Sequence, residues 1–84
     1  MAHTVRVLDL DAGRLMILEN RVKTALRKAR VKARISMVSD NLAITRQGLL
    51  DAVPVLEVNG VIVSRGTPLT LDRLVACFKA VDTE

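Results

Sequence analysis

At 84 residues the chain suits one domain, 1–84, near the lower limit at which a core holds without cross-links. Hydrophobic residues make up 50% and Phe78 is the only aromatic, so disorder is excluded and any core is aliphatic. The formal charge is +4, and a lone cysteine, Cys77, excludes an internally disulfide-bonded scaffold.

Residues 4–10 read as the first strand, with Val5, Val7 and Asp9 alternating with Arg6, Leu8 and Leu10. Leu8 and Leu10 make the second face apolar too, which suits a central strand covered on both sides. Asp11 is a good N-cap, its carboxylate accepting from amides near Gly13 and Arg14. The helix then runs to about Ala29, with Leu15, Leu18, Val22, Ala25, Leu26 and Ala29 as one apolar stripe. Residues 31–38 alternate cleanly: Val31, Ala33, Ile35 and Met37 on one face, Lys32, Arg34 and Ser36 on the other. Outward charges of this kind protect a sheet edge.

Ser39 or Asp40 caps a short helix over 41–47, stopped by Gly48 as a left-handed C-cap. Next comes the firmest local signal. Asn59-Gly60 between two β-branched runs, 55–58 and 61–65, predicts a hairpin with a type I′ turn. Pro54 opens the first of those strands, where a missing N–H costs least. Thr70 caps a last helix whose stripe is Leu71, Leu74, Val75, Phe78 and Val81. The order β-α-β-α-β-β-α predicts an α/β fold: a four-stranded mixed sheet in order 2-1-3-4 with helices on both faces.

That order, with the run Val53-Pro54-Val55-Leu56-Glu57-Val58-Asn59-Gly60 and the helix Leu18-Glu19-Asn20-Arg21-Val22, resembles the thioredoxin-like fold. Within it the chain is most similar to the minimal glutaredoxin-like or "redox-active disulfide" group. The resemblance covers nearly the whole chain and implies a cis Val53–Pro54 bond. It also implies Cys-x-x-Cys at the start of the first helix, and here Ala12 and Leu15 stand at those two positions. Dithiol exchange needs one thiolate to attack and a second to resolve, so the family's oxidoreductase activity is not expected.

What remains is a recognition surface of Asp11, Ala12, Gly13, Arg14, Leu15, Val53 and Pro54, with Met16 adding to a small apolar patch. A backbone edge beside the proline would pair with an extended protein or peptide by strand addition. The expectation is therefore a non-catalytic, cytoplasmic binding or adaptor module without cofactor or metal. No run approaches a membrane span, and no basic stretch leads into an apolar one at the start.

Other readings carry less. A redox or thiol-handling protein would work through Cys77 or a partner's cysteine, but beside Leu74 and Phe78 Cys77 reads first as a small hydrophobe. His3 lacks a ligand-spaced partner. Asp9 and Asp11 could form an acid/base pair, though Asp11 is already a cap. Between Glu19 and Asp40 there is no acid, while Arg21, Lys23, Arg27, Lys28, Arg30, Lys32 and Arg34 supply seven of the thirteen basic residues. Such a strip could bind nucleic acid, but it has no interleaved aromatic for stacking and reads first as a solvated face. An edge strand and aliphatic surface also allow a homodimer without specifying one.

Overall fold

The structure is a computed structural model and describes residues 3–82. Along the chain lie β1 (His3–Leu8), α1 (Ala12–Ala29), β2 (Ala33–Val38), α2 (Asn41–Arg46), β3 (Val55–Val58), β4 (Val61–Arg65) and α3 (Leu71–Asp82). The strands make one sheet in order β2-β1-β3-β4, with β2 parallel to β1, and β3 antiparallel to both β1 and β4. This is the α/β, mixed-sheet, thioredoxin-like layout expected from the sequence.

Alternation along the central strands sorts the core into two clusters. Val5, Val7, Leu56 and Val58 face α1 and α3, meeting Leu15, Leu18, Val22, Leu26, Leu74 and Phe78. Leu8 and Val55 face the other way and are covered by Ile44 of α2 and by Leu49. Beyond that cluster the second face carries an ion pair. Arg6 and Glu57 sit opposite each other in the β1–β3 register, and the Arg6 Nη1–H donates to the Glu57 carboxylate at 3.2 and 3.3 Å.

Local chemistry explains the boundaries. The Asp11 carboxylate accepts from the Arg14 N–H at 3.0 Å and starts α1. At the other end Arg30 adopts φ 58°, and the Arg30 and Val31 amides donate to Arg27 and Leu26 carbonyls. That closure consumes Val31, so β2 starts at Ala33 rather than at Val31 as the alternation predicted. β1 likewise stops at Leu8, short of the predicted 10: the Asp9 N–H still donates to Val38 at 3.0 Å, but its side chain is held elsewhere and Leu10 is exposed. Asp40 caps α2 through the Leu42 N–H, and Gly48 follows it with φ 69°.

In the hairpin, Asn59 and Gly60 have φ 53° and 82°, the positive pair a type I′ turn requires. Asn59 also fastens the turn to β1: its Oδ1 accepts from the Thr4 N–H at 3.0 Å, and its own N–H donates to the Thr4 carbonyl at 2.9 Å. Among the described residues, no helix is long and apolar enough to cross a membrane.

Candidate binding groove beside the first helix

The chain leaves β1 through Asp9, whose side chain is 0% exposed. A buried carboxylate needs compensating donors, and here three converge. The Arg14 Nη2–H donates to Oδ1 at 2.7 Å, the Arg14 Nε–H donates to Oδ2, and the Asp11 N–H donates to Oδ1 at 3.2 Å. Burial by itself pushes the Asp9 pKa up. The hydrogen bonds from Arg14, the Asp11 amide and the Arg14 charge outweigh it and hold the group below the ordinary aspartate value. The same pairing raises Arg14 above the ordinary guanidinium value. Asp9 is thus an anionic anchor for the β1–α1 turn, and Asp11 is a cap.

Gly13 fits this turn because a Cβ there would come within 3.3 Å of the capping Asp11 oxygen. Across from it, the Val53–Pro54 bond is cis. The Gly66 N–H ties that segment to the end of β4 by donating to the Ala52 and Pro54 carbonyls at 2.6 and 3.2 Å. Between the two runs a groove of about 370 Å³, lined by Arg14, Ile17, Leu18, Arg21, Pro54, Gly66, Pro68 and Leu69. Its floor is apolar and two guanidinium groups flank it. Arg21 is partly committed, its Nη1–H donating to the Leu69 carbonyl at 3.2 Å. The Val53 N–H and C=O, at the groove's edge, make no hydrogen bond among the described residues.

Asp11, Ala12, Gly13 and Arg14 are exposed here, and Val53 and Pro54 are half-buried. Leu15 is a correction. It is 6% exposed and packs in the larger cluster, because the helical phase that buries Leu18 and Val22 buries Leu15 as well. Met16 is exposed but does not line the groove. The residues that complete the site are Ile17, 54% exposed, and Arg21. Positions 14, 17 and 21 share one helix face, a signal available in the sequence once 15, 18 and 22 are assigned to the core.

The basic residues do not act as one strip. Arg21 belongs to the groove just described, whereas Lys23, Arg27, Arg30 and Lys32 rim an open depression of about 690 Å³ floored by Leu26, Val31, Ala33 and Ile35. Arg34 lies on the polar face with Arg6 and Glu57, and exposed Lys28 lines none of these concavities. Lys23 pairs with Glu19 at 3.7 Å, one turn away on the solvated side of α1. Cys77 is half-buried on α3 and lines a separate groove with Val58, Val61 and Val63. The His3 Nδ1 lies 3.0 Å from the Asn59 amide nitrogen, and no cluster of metal-ligating side chains exists among the described residues. Comparisons of the chain with models of protein families, with curated proteins and with solved structures found no match.

Proposed function

We propose that the chain is a cytoplasmic, non-catalytic binding module of thioredoxin-like descent that engages an extended protein segment at the α1–Pro54 groove. The observation that carries this reading is the content of the β1–α1 turn. Where the resemblance implies two sulfurs there are a solvent-exposed Ala12 and a core Leu15, and the turn is fastened by the Asp9–Arg14 ion pair. Nothing at the groove can attack or resolve a disulfide, while the means of recognition remain: an apolar floor, flanking arginines and the unpaired backbone groups of Val53. An occupant suited to it is an extended peptide with one aliphatic side chain over Pro54 and Leu69 and a carboxylate towards Arg14 or Arg21.

The test is an amide-resolved NMR titration of the ¹⁵N-labelled protein with a pool of acetylated pentapeptides carrying central Leu or Val and a flanking Glu. Shift changes are expected at residues 12–18, 53, 66, 67 and 69, and Ile17→Glu should abolish them while leaving the melting temperature within about 1–2 °C of wild type. Shift changes confined to 23–35, or unaltered by Ile17→Glu, would contradict the reading. A thiol-handling role that uses this chain's own sulfur would operate at Cys77, outside this groove; thiol exchange that disappears in Cys77→Ser would support that role instead.

A further inference from the structure

Four of the basic residues surround one concavity. The depression of about 690 Å³ between the end of α1 and β2 has an aliphatic floor of Leu26, Val31, Ala33 and Ile35, with Lys23, Arg27, Arg30 and Lys32 on its rim. Lys23 has a counter-ion in Glu19. Among the described residues no carboxylate pairs with Arg27, Arg30 or Lys32, nor with exposed Arg34 two residues further on. Some of this charge has a local use. Arg27 lies in the last turn of α1, where the terminal carbonyls favour cations, and Lys32 and Arg34 keep like edges from pairing. Neither use accounts for an apolar floor inside the ring of charge.

The backbone beside the depression is open as well. β2 is an outer strand, bonded within the sheet to β1 alone. The His3 and Asp9 amides donate to the Lys32 and Val38 carbonyls, so the ladder to β1 runs through the even-numbered residues of β2. The N–H and C=O groups of Ala33, Ile35 and Met37 therefore point away from the sheet.

We propose that β2 and the end of α1 form a docking site for an acidic protein segment, which adds to the sheet as a strand. Strand addition places alternate side chains of the occupant over Ala33 and Ile35, and the intervening ones beside Arg34. A segment alternating aliphatic residues with carboxylates covers the floor and neutralises the rim. The charge selects an anion, and the outward row of backbone groups selects a peptide among anions. A nucleic acid would leave the floor and those backbone groups without partners, and no aromatic stands between residues 23 and 37 to stack a base. The same charges that turn away a second β2 edge admit an acidic strand. This surface is separate from the α1–Pro54 groove, and the proposal does not rest on that reading.

The test is an amide-resolved titration of the ¹⁵N-labelled full chain with acetylated, amidated Glu-Val-Glu-Val-Glu-Val-Glu. Shift changes are expected within residues 23–37, together with slower solvent exchange of the Ala33, Ile35 and Met37 amides. Arg27→Glu combined with Lys32→Glu should weaken binding by about tenfold or more, and the milder Arg27→Gln with Lys32→Gln by about threefold. Arg46→Glu combined with Arg73→Glu makes the same change in net charge on other elements and should stay within about twofold of wild type. Circular dichroism checks that each pair folds. Absence of shift changes up to about 2 mM peptide would overturn the proposal. So would changes at 12–18 and 53 with none at 23–37, or equal weakening by the two charge-reversed pairs. An oligothymidylate that shifts the 23–37 amides at lower concentration than the peptide would overturn it in favour of nucleic acid.

Discussion

The two faces of the sheet are covered to very different depths. Among the described residues, thirteen buried side chains lie towards α1 and α3, including the chain's only aromatic; four lie towards α2, beside half-buried Arg6, buried Glu57 and exposed Arg34. The candidate groove is built from both regions. Its Arg14–Arg21 wall stands on the thick face, fixed through Leu15, Leu18 and Val22, whereas Ala52 and Val53, leading into its Pro54 wall, pack on the thin cluster of Leu8, Ile44, Leu49 and Val55. One wall is therefore rigid and the other depends on a six-residue helix. Local opening concentrates where apolar burial is least, so accommodation of a ligand should come from the Pro54 side.

The largest expected effect is on the thick face. Phe78→Ala should cost about 3–5 kcal/mol, a large share of the total stability of a chain this small, with loss measured by urea denaturation. Leu49→Ala should cost less, about 2–4 kcal/mol, and act locally: amide exchange should accelerate over 47–53 more than in β1. Equal acceleration in both regions would break the contrast between the faces.

The turn joining β1 to α1 supplies a pH-dependent contribution. Because Asp9 titrates below its unfolded value, its ion pair contributes fully above that unfolded value. The contribution is lost as pH falls through the folded value, since the unfolded chain then binds the proton first. Asp9→Asn should thus flatten the acid limb of the stability–pH curve, read by thermal melts from pH 7 downward. At the hairpin, Asn59→Ala should cost about 1–2 kcal/mol, from a left-handed residue without its preferred side chain and a lost bond to Thr4. The smallest effect is a gain. Arg30→Gly relieves the left-handed cap of α1 and should stabilise by up to about 1 kcal/mol in the same denaturation assay.

Which features the sequence disclosed depends on whether the cause is local. Asn59-Gly60 encodes its own positive φ values, and the stripe from Leu15 to Leu26 encodes its buried face, so hairpin, helix and strand order were all readable. The ends of β1 and β2 were not. They are set by Asp9 turning to Arg14 and by Arg30 taking the left-handed cap, and both depend on where the helix places its neighbours. The groove was half readable. Ala12–Gly13–Arg14 and Pro54 follow from the resemblance, but transferring a motif position made Leu15 a surface residue, when its helical phase makes it core. The basic residues, contiguous in sequence, separate in space because the chain passes from helix to strand within them.

The central claim is that this scaffold recognises without performing thiol chemistry. Insulin reduction with dithiothreitol as the electron source tests it most directly, run on wild type and Cys77→Ser at equal concentration. The account predicts that both match the protein-free rate. Turnover by wild type above that rate, abolished in Cys77→Ser, would contradict it.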